Sequence, residues 1–599
     1  MNLYECLSRI IPVDDNELYP RYFSDEERGY IDTEEEKATF DLLRNVASLG
    51  VKIRTDGIEF HPMMIFEGRR TFSVEDLSEE DYELLMTLDW SQLPLNLKCR
   101  VTDILWTVKK DFRAALSAAK AYFDLYKLFF SEENWVDTLD YVKRAICISK
   151  QINNKELFEK VCKELYDKVI LLNGSDKGFL SLRMIDIILN YRYGDLTKIL
   201  CVIDNIIKNN PSNISKTEQA YEYRADCLNK LKRGSEAQNS NIQLAEYYVD
   251  MAECIQKRDV QGAFRSEHLF RKAIMLFRNN GNSQRAEEVH RRLVEIQKEI
   301  PKMMVPVSME FDVSELVSNI EQNFKNLSFE EAIVRMTQTI TFYKKDDLRE
   351  EVIRDINEHP LANLFGKSII NDTGQTVVSL PSLDISDLEE NDDVLELYIF
   401  QKLLDHGRWA GDLYLKFVYQ YICKNYSFTE KDFSFLTDNN VIVPEGRERI
   451  FCSAFALFLN GHCYEAMHIL APQVENLFRN IAKEVGGLTV TLESDGSSKE
   501  KVLSSVFDLP ELLDCYDNDI IFLFKGLLNE QAGANIRNEI AHGIASERNA
   551  CSGIYLFFAG AVMKLISYTS PKWYEVYRNS EKLKSFVQPS ENAVKIKNL

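Results

Sequence analysis

Proline and glycine are scarce in this chain, 14 and 24 in 599 residues. Their scarcity excludes collagen-like or long low-complexity stretches and points to helix, which has least use for either residue. Basic residues are also in deficit: 72 Lys and Arg stand against 94 Asp and Glu, a formal net charge of −22. A protein that coats nucleic acid, or docks on anionic lipid through a polybasic face, has the opposite balance. Any nucleic-acid site here is therefore a local basic pocket in an acidic body. The 12 cysteines include no C-x-x-C and no paired spacing, which excludes a disulfide framework and predicts a reducing compartment. Cys147, Cys162 and Cys452 sit in apolar helical context, where a thiol acts as a small hydrophobe. The longest apolar run, Ile554–Met563, stops at Lys564 and is too short to span a bilayer. The first twenty residues lack the basic and apolar regions of a signal peptide. Together these absences predict a soluble, cytoplasmic protein with no membrane partner.

What is present is ordinary globular composition, 45% hydrophobic and 28% charged, over a length that predicts two to four domains. The expected fold is mainly α. Residues 1–94 read as a mixed region, with a β-hairpin at 51–62 around Asp56-Gly57. From 95 to 300 apolar residues recur at three- and four-residue spacing between short polar breaks. The segment AFRSEHLFRKAIMLFRNNGNSQRAEEVHRRLVEIQKEI, with an N-cap expected at Ser283, looks like one tetratricopeptide-type unit. The N-terminal half is thus expected to be a TPR-like α-solenoid whose concave surface takes a protein partner. Residues 301–445 form a mixed connecting domain, opened by Pro301 and Pro306. Helices are expected near 314–345 and 388–425, a strand or hairpin at 372–381, and a solvated acidic loop at 387–393. Residues 446–580 read as a helical bundle and 581–599 as a tail.

Three tempting signals carry no chemistry. FGKS (365–368) lacks the first P-loop glycine, since position 361 is Leu. His462 and His468 have no further ligand at zinc spacing, and DNDI near 517–520 lacks the oxygens of a calcium loop. No metal or cofactor is expected.

Two helices carry more. In the second bundle helix Met467, Leu470, Val474, Leu477, Ile481 and Val485 make one apolar stripe, while His468, Pro472, Glu475 and Arg479 fall within about 60° of each other. That polar stripe is either an exposed face with a Glu475–Arg479 i,i+4 pair or one wall of a site. Further on, GANIRNEIAHG (533–543) places Asn538 and His542 at i,i+4 on one face, with Arg537 about 140° from His542. Gly543 is placed to end the helix as a left-handed cap, leaving His542 in the last turn, where the helix dipole favours an imidazolium. A purely structural alternative is a capping histidine with Arg537 paired to Glu539 or Glu530.

R-N-x-x-x-H-G after an apolar helical lead resembles the R-x4–6-H signature of HEPN domains, small helical bundles of which many are metal-independent RNases. With LAPQVENLFRNIAKEVGG and LKCRVTDILW added, the chain is similar to the DUF4209 family. The resemblance implies an endoribonuclease, a toxin or antiviral defence effector, with no cofactor. His542 would transfer the proton and Arg537 stabilise charge on the phosphate, while Asn538 and Glu475 orient them. Arg479 and Arg548 are candidate RNA contacts. It also implies a homodimer in which the two motifs meet and which buries the 552–568 helix. The alternative is a non-catalytic interaction scaffold.

Overall fold

The computed structural model describes residues 1–12, 18–54, 57–66, 69–258, 262–305, 310–363, 365–371, 373–383, 392–584 and 595–596. The described chain divides into two compact units, Met1–Gln297 and Lys298–Leu599. Both are mainly α, and the strands occur as two-stranded pairs.

In the first unit, β1 (Leu49–Ile53) and β2 (Ile58–Pro62) pair antiparallel, with Leu49 opposite Pro62 and Ile53 opposite Ile58. Asp56 of the expected turn lies outside the described residues, and Gly57 leads into β2. The helical stretch begins with α1 (Leu95–Lys109), α2 (Phe112–Phe129) and α3 (Val136–Gln151). Lys110 closes α1 in the left-handed region, and the Asp111 carboxylate accepts from the Ala114 N–H at 2.8 Å to open α2. A one-residue reversal with a good cap is why these helices can fold back on each other. From there to the helix Ser283–Gln297, each helix packs on the one before it. Cys147 and Cys162 are buried, as their apolar setting predicts. The cap of the last helix is Asn282, whose side-chain oxygen accepts from the Arg285 N–H at 3.3 Å. Ser283, expected in that role, is the first helical residue.

The second unit starts with helices Ser314–Phe324, Phe329–Thr339 and Lys345–Glu358, then a hairpin of β3 (Lys367–Ile370) and β4 (Thr376–Leu380). Residue 372 and residues 387–391 of the expected acidic loop lie outside the described residues. Asp392 and Asp393 instead open α4 (Asp392–Ala410), where negative charge suits a helix N-terminus. There follow α5 (Glu448–Leu459), α6 (Cys463–Glu484), a short hairpin of β5 (Val490–Leu492) and β6 (Ser498–Glu500), α7 (Asn518–Leu528), α8 (Ile536–Ala541), α9 (Glu547–Ala550) and α10 (Gly553–Ser567).

One hydrophobic cluster runs from Leu316 to Leu583. The regions 301–445 and 446–580, separated above by composition, thus share a core. Helix α10 lies in its middle: every residue from Gly553 to Met563 is buried, and it packs on α4 and on the Phe329–Thr339 helix. At roughly 1.5–3 kcal/mol for each large apolar side chain withdrawn from water, this helix is a main source of stability for the unit. Its apolar surface is covered by its own chain, so its burial needs no second copy, contrary to the dimer argument. No single helix among the described residues is long and apolar enough to cross a membrane.

Candidate functional site

The candidate residues sit on α6, α8 and α9. Leu470, Val474, Leu477 and Phe478 of α6 are fully buried, which turns Glu475 and Arg479 toward the surface. The expected apolar stripe ends at Ile481, because Val485 is only half-buried. His468, on the same helix, is engaged with its neighbour one turn earlier. Its Nδ1 lies 2.9 Å from the Tyr464 carbonyl oxygen and its ring 4.2 Å from the Tyr464 ring, a contact within one turn.

Helix α8 is held at both ends. Before it, the Ala534 N–H donates to the Gly526 carbonyl of α7 at 2.8 Å. A Cβ on Gly533 would stand 2.0 Å from that same carbonyl oxygen, so only glycine permits the approach. The Gln401 side chain of α4 donates to the Ala532 carbonyl from the other side. Ile536 and Ile540 are buried and fix the rotation of the helix. After it, Gly543 adopts φ +66° and donates to the Ile540 carbonyl at 3.1 Å, and Ile544 donates to the Glu539 carbonyl at 2.8 Å. Those two bonds make a Schellman cap, which stops the helix at His542.

In this setting Arg537 reaches back to α6. Its Nε donates to Glu475 Oε2 at 2.8 Å and its Nη1 to Asn538 Oδ1 at 3.0 Å. The other oxygen of Glu475 accepts from Arg479 Nη2 at 2.6 Å. Arg479 also donates to Glu500 Oε2 of β6, at 3.3 Å. One carboxylate thus holds two guanidinium groups. Burial by itself would raise the Glu475 carboxyl, but the hydrogen bonds from Arg479 and Arg537 outweigh it and keep it below the ordinary glutamate value. The partners proposed for Arg537 in the structural alternative are engaged elsewhere. Glu539 accepts from the Tyr555 hydroxyl at 2.7 Å, and Glu530 stands 4.0 Å from Lys525.

The two arginines differ in access. Arg479 is 12% exposed and shared between two carboxylates, whereas Arg537 is 36% exposed. Among the described residues Nη2 of Arg537 has no protein acceptor. Asn538 donates to Asn535 Oδ1 at 2.7 Å, so both halves of its amide are used. His542 is exposed, and its ring makes no hydrogen bond among the described residues. Arg548, on α9, is also exposed and without an ion pair among them. The arrangement supplies one oriented guanidinium edge, one unengaged imidazole and one further exposed cation on neighbouring short helices. Among the described residues no group of three or more His, Cys, Asp or Glu could hold a metal ion.

Two participants escaped the sequence reading. Glu500 lies on a hairpin inside the region read as a helical bundle, although Asp495-Gly496 between alternating residues signals it. Asn535 opens α8 with φ +50°, a conformation that asparagine tolerates better than other side chains do.

Residues 1–160 match the model of a domain of unknown function, DUF7380. That match corrects the resemblance drawn from the sequence: the family found is neither DUF4209 nor HEPN, and LKCRVTDILW, quoted for DUF4209, falls inside the matched region. No curated protein and no solved structure matches the chain.

Proposed function

We propose that the unit Lys298–Leu599 carries a metal-independent endoribonuclease site, with Arg537 and His542 as catalytic residues and Glu475 and Asn538 as positioning residues. The observation that carries the reading is the presentation of Arg537. Its Nε and Nη1 are fixed on Glu475 and Asn538 while the Nη2 side stays open to a ligand. A guanidinium held in this way meets phosphate oxygens in a set orientation. RNA brings its own nucleophile, the 2′-hydroxyl. The imidazole of His542 takes the 2′-OH proton, the 2′-oxygen bonds to phosphorus, and the P–O5′ bond breaks, the 5′-oxygen taking a proton from water to leave as a hydroxyl and giving a cyclic phosphate. Arg537 balances the charge that grows on the non-bridging oxygens. Arg548 is the further RNA contact in this scheme, and Arg479 serves it by bracing Glu475. The helical unit Met1–Gln297 would hold a protein partner on a TPR-like surface, and a second copy would bring the two motifs together.

The test is cleavage of mixed-sequence RNA by the full chain in EDTA. Wild type should release 2′,3′-cyclic ends, and His542→Ala should lower the rate by at least about 100-fold without unfolding. Equal rates for wild type and His542→Ala would end the proposal.

A second reading, a non-catalytic interaction scaffold, is favoured by the charge balance around Arg537, since Glu475 already offsets part of it and the chain is acidic overall. On that reading, a cellular phenotype of the protein survives in folded His542→Ala.

A further inference from the structure

The segment Leu97–Trp106 folds into α1 and places a charge cluster inside the first unit. Asp103 is fully buried, and four donors satisfy its carboxylate. Arg144 of α3 reaches it through Nε at 2.8 Å and Nη2 at 2.6 Å, the Tyr122 hydroxyl of α2 lies at 3.0 Å, and the Thr107 hydroxyl at 3.2 Å. Among the described residues Arg144 is the cation in direct contact with Asp103, in a bidentate pair.

Arg100, nearly one turn earlier on α1, adds a second positive charge with no anion of its own. Among the described residues its hydrogen bond runs from Nη1 to the Leu49 carbonyl of β1, and no carboxylate of these residues lies within ion-pair distance of it. Burial holds the guanidinium below the usual arginine range, against the pull of the nearby Tyr122 and Tyr141 hydroxyls and of Asp103. The guanidinium is half-buried, and among the described residues its other donors have no protein acceptor, which leaves them to water or to an anion. Arg100 lines a cavity of about 300 Å³, whose wall also includes Tyr122 and Tyr141 and the apolar Leu49, Val51 and Leu125. Asp137 and Asp140, at the start of α3, line it as well; Asp137 is exposed and Asp140 bonds Lys143 at 2.8 Å. One cation with two carboxylates in the same wall accepts a single negative charge and repels a dianion.

We propose that this cavity binds a small organic monocarboxylate with an apolar or aromatic body, its carboxylate on Arg100 and its body against the tyrosines and the apolar wall. The site lies within the residues matched by the DUF7380 model, which assigns it nothing, and it is independent of the nuclease reading.

Three probes that share a ring test it by calorimetry and thermal shift on the full chain: phenylacetate, neutral phenylacetamide and dianionic phenyl phosphate. Phenylacetate should bind and raise the melting temperature, with the amide and the phosphate ester each weaker by at least about tenfold. Arg100→Gln should abolish that discrimination. Should the variant not fold, the comparison of acid with amide on wild type decides alone. Equal binding of acid and amide, no binding of phenylacetate at about 10 mM, or an unchanged preference in folded Arg100→Gln would each overturn the assignment.

Discussion

Glu475 and Arg537 are 62 positions apart in sequence and 2.8 Å apart in space. The pair ties α6 to α8, and through its second oxygen Glu475 ties both to Arg479 and the β5–β6 hairpin. The hydrogen bonds that hold Arg537 and Arg479 in place depend on that carboxylate.

Removal of the carboxylate leaves two guanidinium groups facing each other. Glu475→Gln should destabilise the unit by about 1–3 kcal/mol in urea unfolding. The double variant with Arg537→Met should lose less than the sum of the single changes. The effect should also depend on pH. The folded carboxyl lies below its ordinary 4.5, so the unfolded chain binds its proton first on acidification. The stabilisation is complete above 4.5 and is lost as pH falls through the folded value. The difference in melting temperature between wild type and Glu475→Gln should therefore be flat near neutrality and shrink below pH 4.5. A difference that grows on acidification would contradict the pairing.

Lys564 is a buried charge that costs stability rather than adding it. It interrupts the buried face of α10, donates to the Ile340 carbonyl, and burial lowers its ammonium from 10.5 to about 8. Between those values the folded state has released the proton while the unfolded state still holds it. Stability from this group therefore rises with pH from about 8 to 10.5, and the cost of the buried charge is complete below 8. Lys564→Met should be more stable than wild type at pH 7 by on the order of 1–2 kcal/mol. The gap should close by pH 10, which thermal unfolding at the two pH values would measure.

The Asp103–Arg144 pair, at 0% and 2% exposure, has no solvent to fall back on. Asp103→Asn should cost about 3–5 kcal/mol, because it leaves a second guanidinium uncompensated beside Arg100. Asp103→Leu combined with Arg144→Met should recover most of that loss. If the double variant is no more stable than Asp103→Asn, the pair contributes through more than its charge balance.

Much of the helical framework was legible in the sequence. The bounds expected for α10, 552–568, fall within one residue of those observed, because apolar runs of this length report burial directly. The hairpin at 51–62 followed from alternation and a turn dipeptide, and the stop at Gly543 from the need for a left-handed residue. Errors arose where the deciding partner was remote. Composition placed a boundary near 446, but α10 packs on α4 and on the Phe329–Thr339 helix, so the two regions have one core. The HEPN resemblance rested on a short motif at the far end of the chain from the region that DUF7380 matches, and the one segment quoted from inside that region, LKCRVTDILW, is only ten residues long.

The sequence by itself determined which segments are helical, where they stop and which face of each turns inward, since these depend on neighbours three or four residues away. Only the tertiary structure decided how charges are shared between elements: Glu475 with Arg537, Asp103 with Arg144, and, among the described residues, no carboxylate within ion-pair distance of Arg100. An ion pair between elements is selected by distance in space and by loss of water, and neither is encoded in the spacing of residues along one helix.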